Sequence, residues 1–183
     1  IHIEFGNEAW NNAAWYQCGG YNGPDYWREL IDAGKSSPYY KPGMLFHTAG
    51  QAAWSGRNAG ILKNAPNADR FSVAPYLVSN LNKKDLDILD TDEKLFRWVF
   101  AKPIWRSHDS RGAMFQNYDL ARAAGIELSI YEVNHHTTHG DAPAEPRNKI
   151  VSSIGGGINV ANDMLLMMRD HKLRTQCLFS LIQ

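Results

Sequence analysis

Strand-like and helix-like segments alternate along this chain, and that alternation limits the architectures open to it. Residues 1–5, Ile-His-Ile-Glu-Phe, alternate with the period of two that a half-buried strand requires. Further strand-like runs cover 43–47, 70–78, 127–133 and 173–182. Between them, 25–33 reads as a helix, entered after Pro24 and stopped at Gly34. Residues 56–64 read as a short helix, and 83–106 as one or two helices interrupted at Pro103. Residues 113–124 read as a helix closed by Gly125. Residues 19–24 and 134–147 are turn-rich and polar and read as loops. Residues 149–171 read as one long apolar helix, its first turns weakened by Gly155, Gly156 and Gly157. The resulting order, β-α-β-α-β-α-β-α-β, predicts an α/β fold with parallel strands joined by helical crossovers. An open doubly wound sheet and part of a (β/α) barrel both satisfy it. No phosphate-binding glycine loop follows the first strand, because Gly6-Asn7-Glu8 lacks the G-x-G-x-x-G spacing, which argues against a nucleotide site.

Composition narrows the function classes. The 183 residues suffice for one domain with its own core. Nineteen basic residues balance nineteen acidic ones, so nothing electrostatic favours nucleic acid or an anionic membrane as a partner. No apolar run approaches membrane-spanning length. Two cysteines, Cys18 and Cys177, suggest neither a disulfide framework nor a metal cluster. No signal peptide is expected, since the sequence opens directly on a strand.

Two strand ends carry an isolated carboxylate in polar surroundings. Glu8 follows the first strand, and Glu132 lies in Ile130-Tyr131-Glu132-Val133-Asn134 at the end of the fourth. The C-terminal ends of barrel strands are where catalytic groups collect. Two carboxylates flanking a cleft suit glycoside hydrolysis, one as general acid and base and the other as nucleophile. Glu4 alternates with His2, away from Ile1, Ile3 and Phe5, and is expected to be a hydrogen-bonded supporting carboxylate.

The segment Glu4-Phe5-Gly6-Asn7-Glu8-Ala9-Trp10 resembles the E-x-G-N-E-x-W stretch at the fourth strand of clan A glycoside hydrolases, most closely the family 51 α-L-arabinofuranosidases. Glu132-Val133-Asn134 resembles the E-W-N that ends their seventh strand, and residues 157–183 resemble their seventh helix and eighth strand. The resemblance implies a partial (β/α)8 TIM barrel over residues 1–183, covering strands four to eight. The earlier strands and any accessory β-sandwich would then lie outside this sequence. It implies a retaining hydrolase of plant-type or microbial polysaccharides or oligosaccharides, with Glu8 as acid/base and Glu132 as nucleophile. Asn7 would bind the sugar 2-hydroxyl, and Tyr76 would hold the nucleophile. The chain departs from the family pattern at Ala74, where a His is usual, at Val133, where a Trp is usual, and at Tyr131, where an acidic residue is common. These departures concern sugar specificity.

Trp10, Trp15, Tyr16, Tyr21, Trp27, Tyr39, Tyr40 and Trp54 are the aromatic candidates for stacking on sugar faces. Trp10 is the foremost by its nearness to Glu8, whereas Trp27 with Tyr26 is expected to pack a helix on the sheet. Trp98 and Trp105 are expected in the core. Asn134 and His135 are expected to line the cleft beside Glu132. His135, His136, His139 and Asp141 form an H-H-T-T-H-G-D run that would serve a metal hydrolase only if 135 and 139 shared a helix face. Thr137, Thr138 and Gly140 disfavour that helix, so no metal and no cofactor is expected. The expected partners are a carbohydrate substrate and the rest of the barrel, supplied by the same gene product or another chain, a homo-oligomer included. A carbohydrate-binding or assembly role without turnover is the alternative reading. The compartment is left open between bacterial cytoplasm and secretion.

Overall fold

The computed structural model describes residues 1–6, 8–11, 23–78, 81–86, 91–137 and 140–179. It divides into two units. The first comprises Ile1–Ala74 with Gln116–Tyr131, and the second Pro75–Phe115 with Glu132–Gln183.

In the first unit, strands β1 (His2–Glu4), β2 (Leu45–Gly50) and β3 (Arg70–Val73) pair in parallel. Strand β3 pairs in parallel with a later strand, Glu127–Val133. Helices α1 (Gly23–Lys35) and α2 (Ser55–Asn64) form the crossovers between the first three strands. Strands that must be parallel need such crossovers, which is why the alternation in the sequence takes this form. One face of the sheet carries Ile3, Phe5 and Phe46 against Trp27 and Ile31 of α1. Trp27 and Ile31 are four apart on α1, so they share its inner face. Full burial of such side chains contributes about 1.5–3 kcal/mol each. Gly34 does not stop α1. The helix runs on to Lys35, and Gly34 faces Phe46 so closely that a Cβ would meet the ring at 2.6 Å. Trp27 donates its indole N–H to the Phe5 carbonyl, and the Phe5 and Phe46 rings stack 5.7 Å apart.

The second unit departs further from the sequence expectations. Residues 70–78 are two strands, not one: after β3 the chain leaves the sheet at Pro75, and β4 (Leu77–Val78) pairs in parallel with β6 (His135–His136). Pro75 cannot donate to a ladder, so a continuous strand ends there. The interval 83–106 holds α3 (Lys83–Leu86), α4 (Asp92–Leu95), a π-helical turn (Phe96–Ala101) and α5 (Lys102–His108). Pro103 has no N–H, and an α-helix would press its ring on the carbonyl four residues back. The widened turn precedes it, with the Lys102 N–H reaching the Arg97 carbonyl five residues away. That wider turn changes which positions share a face. Val99, Phe100 and Pro103 are buried, whereas Trp98 and Trp105 are 50% and 66% exposed, contrary to the core role expected of them. The Lys102 ammonium lies over the Trp98 ring at 3.7 Å.

Helix α6 (Ala113–Ala123) leads into β5 (Glu127–Val133), whose bounds match the sequence reading. The expected single helix over 149–171 is two, α7 (Ala144–Val151) and α8 (Ile154–His171), with α7 reaching back into the expected loop. Ser153 caps α8 by accepting the Gly156 N–H at 3.1 Å, which offsets the poor helix propensity of the three glycines. A Cβ at Gly156 would collide with the Val151 carbonyl, so this glycine lets the two helices meet closely. Strand β7 (Gln176–Leu178) is the neighbour of β5, giving the sheet order β1-β2-β3-β5-β7, with β1 and β7 as its outermost strands. Among the described residues, no single helix is long and apolar enough to cross a membrane.

The amide network at the end of β2 is a stability determinant. Buried Asn58 donates to the Gln51 carbonyl and to Asn117 Oδ1, and Asn117 donates to the Ala52 carbonyl. Asn58→Ala leaves the buried Asn117 Oδ1, and the Gln51 carbonyl, without that donor. It should lower unfolding stability by about 1–3 kcal/mol in urea titrations.

Candidate active site

The expected catalytic carboxylates fall in different units, Glu8 in the first and Glu132 in the second. Each has its own surroundings.

Beyond β1 the chain turns sharply. Gly6 has φ 86° and Glu8 has φ 47°, in the left-handed region that a residue with a Cβ seldom adopts. The Asn11 N–H returns to the Glu8 carbonyl at 2.8 Å and closes the turn. Glu8 is partly buried. Arg57, in the first turn of α2, donates to the Trp10 carbonyl. Trp10 donates its indole N–H to the Tyr131 hydroxyl at 3.0 Å. Trp10 is 9% exposed and belongs to the cluster formed by Ala9, Trp27 and Phe46, so its faces are taken up by protein. This corrects the expectation of a sugar-stacking platform: Trp10 braces the turn instead. Trp27 is fully buried, as expected, while Tyr39 and Trp54 remain exposed. Asn7, Trp15, Tyr16 and Tyr21, also named from the sequence, lie outside the described residues.

In the second unit, Tyr76 donates its hydroxyl to Glu132 Oε2 at 2.5 Å. This is the pairing expected of those two residues. The Tyr76 ring is held edge-on to Phe179 at 6.2 Å and tilted against His136 at 5.6 Å. Asn134 does not reach out from the site. Its Nδ2 donates to the Phe179 carbonyl, its Oδ1 accepts from the His135 N–H, and its own carbonyl accepts from the Leu77 N–H. It therefore ties β4, β6 and the residue that follows β7 to one another. His135 packs by Phe100, with Nε2 3.2 Å from the Gly156 carbonyl, and burial lowers its pKa. His135 and His136 occupy strand β6, so the helix that would align 135 with 139 does not start there; His139 lies outside the described residues. Among the described residues, no group of three or more His, Cys, Asp and Glu is arranged to hold a metal ion.

Beside Glu4 and His2, which the sequence places on one side of β1, the sheet face opposite the α1 packing carries polar groups to which the sequence assigned no role. Glu4, His47, Arg70 and Glu127 lie in register across β1, β2, β3 and β5, and Arg70 pairs with Glu127 at 2.6 Å. One step along, His47 Nδ1 meets Ser72 Oγ at 2.5 Å, Ser72 Oγ meets Ser129 Oγ at 2.8 Å, and His47 Nε2 meets His2 Nδ1 at 2.8 Å. The two imidazoles share one proton across their contact, which suits two neutral rings. The signal was a polar residue at every second position of apolar strands, as in Phe46-His47, Phe71-Ser72 and Leu128-Ser129. A second missed pair is His108–Asp163, 2.7 Å apart and largely buried, joining α5 to α8. Comparison with models of known protein families and with curated proteins finds no match for this chain.

His47 makes a pH test possible. Burial, then the charges of His2 and Arg70, push its pKa from 6.5 down to about 4, against the opposing pull of Asp69. The unfolded chain therefore binds this proton at a higher pH than the native state. The stabilisation is complete above pH ~6.5 and is lost progressively as pH falls towards ~4. It amounts to about 3 kcal/mol across that window. His47→Asn should flatten the pH dependence of unfolding stability between pH 7 and 4 by roughly that amount.

Proposed function

We propose that this chain carries the catalytic carboxylates of a retaining glycoside hydrolase, α-L-arabinofuranosidase-like in its site, on strands four to eight of a (β/α)8 barrel. In this reading β1, β2, β3, β5 and β7 are those strands, and the sheet order, which follows the sequence among them, agrees with it. Glu8 then follows strand four, Tyr76 follows strand six and Glu132 stands on strand seven. The observation that carries the proposal is the hydrogen bond from Tyr76 to Glu132. It fixes the rotation of the carboxylate through one oxygen, as a nucleophile aimed at a single carbon requires. The left-handed backbone at Glu8 adds support, because strain of that kind concentrates at functional positions.

The reaction runs in two displacements. A Glu132 oxygen attacks the anomeric carbon while protonated Glu8 gives its proton to the departing glycosidic oxygen. The C–O bond to the leaving group breaks and a glycosyl ester to Glu132 forms. Glu8, now ionised, takes a proton from water as the water attacks the same carbon. The ester bond breaks, and Glu132 and protonated Glu8 are restored. Asn7 would hold the sugar 2-hydroxyl. The protein needs no cofactor for these steps.

A panel of aryl glycosides tests the reading. The parent protein should turn over at least one member. Glu132→Gln should abolish turnover, and Glu8→Gln should lower it roughly 10²–10⁴-fold. Full activity in both variants contradicts the assignment. Tyr76→Phe keeps the ring against Phe179 and removes the hydrogen bond. It should lower kcat by about tenfold or more with a smaller change in KM, as expected for an interaction that matters most in the transition state.

A further inference from the structure

Strands β1 and β5 are separated by β2 and β3 in the sheet, so three inter-strand spacings of about 4.8 Å lie between them. One indole and one phenol span that interval: Trp10, from the turn after β1, and Tyr131, on β5, meet at 3.0 Å. Arg57 anchors the same turn from α2 through the Trp10 carbonyl. Between these ties and β1 sits Glu8, held with φ 47°. An unusual backbone conformation persists only where the surroundings determine it. Here the surroundings are a buried aromatic ring two residues away, fixed at both its side-chain N–H and its main-chain carbonyl.

Tyr131 is also a departure within the resemblance, since an acidic residue is common at this position before the nucleophile. An acidic side chain there could accept from an indole N–H too, but Tyr131 does so while its ring packs against the buried cluster that includes Trp10.

We propose that Tyr131 is a positioning residue for the acid/base: through Trp10 it sets the Glu8 turn, and so the direction from which the leaving-group oxygen is protonated. This rests on the glycosidase reading. Neither Trp10 nor Tyr131 exchanges a proton with substrate. Their effect reaches the reaction only through the placement of the Glu8 carboxyl.

The role predicts a particular pattern of loss. Protonation matters for an unactivated phenyl glycoside and far less for an activated dinitrophenyl glycoside, whose leaving group departs as a stable anion. Tyr131→Phe removes the acceptor and keeps the ring. Trp10→Phe removes the donor and keeps an aromatic side chain. Each variant should lose roughly 10- to 100-fold in kcat/KM on the phenyl glycoside, in line with a small misplacement of a catalytic group. The loss on the dinitrophenyl glycoside of the same sugar should be several-fold smaller. Equal losses on both substrates would mark a general structural role and overturn the proposal, as would no loss on either. A parent protein active on neither substrate would overturn the glycosidase reading and this assignment with it. A parent active on both, with variants that lose equally, overturns this assignment alone.

Discussion

A polar side chain inside a parallel sheet is tolerable only when its donors and acceptors are matched, and His47, Ser72 and Ser129 match one another. Their meeting requires one register across β2, β3 and β5, with Ser72 opposite Ser129 and Ala49 opposite Ser72. A slip of one residue would turn the whole polar set into the Phe46 and Trp27 packing and bring apolar side chains to the other face. The network therefore specifies the sheet more than it strengthens it. Each neutral hydrogen bond adds about 1 kcal/mol, while each broken one would leave a buried group unsatisfied.

Functional placement depends on that register. Two residues beyond Ser129, on the same side of β5, Tyr131 reaches Trp10 and braces the turn that carries Glu8. The next residue in the chain is Glu132, which receives the Tyr76 hydroxyl in the second unit. Different interactions thus act at the two carboxylate positions. The backbone at Glu8 is left-handed, in a turn that the buried Trp10 follows, and Glu132 is held by a phenol whose ring is confined by Phe179 and His136.

The sequence shows β5 with its true bounds, because Leu128, Ile130, Tyr131 and Val133 form a β-prone run bounded by Gly125 and Asn134. It also shows α2, whereas the pairing of Tyr76 with Glu132 is what the family resemblance implies. Pro75 was visible, but its effect on 70–78 depends on β6 being available to pair with β4, a contact between residues far apart in sequence. The π turn before Pro103 was hidden for a related reason: helical spacing assumes 3.6 residues per turn, and one wider turn moved Trp98 and Trp105 to the surface. Trp10 illustrates a different limit. Nearness to Glu8 in sequence suggested a platform for sugar, whereas the Tyr131 hydroxyl and the α1 cluster claim the ring. The polar face was written in the alternation of Phe46-His47 and Leu128-Ser129, yet only the register shows that these residues meet.

The central claim is that Glu132 is the nucleophile of a double displacement. The direct measurement is peptide mass mapping after incubation with an activated 2-deoxy-2-fluoro glycoside of a sugar the protein hydrolyses. Fluorine at C2 slows both displacements by destabilising the oxocarbenium-like transition state, and the activated leaving group lets the first proceed, so the ester accumulates. The account predicts one added glycosyl mass, on the peptide that contains Glu132. A label on Glu8, or continued turnover with no label, would contradict it.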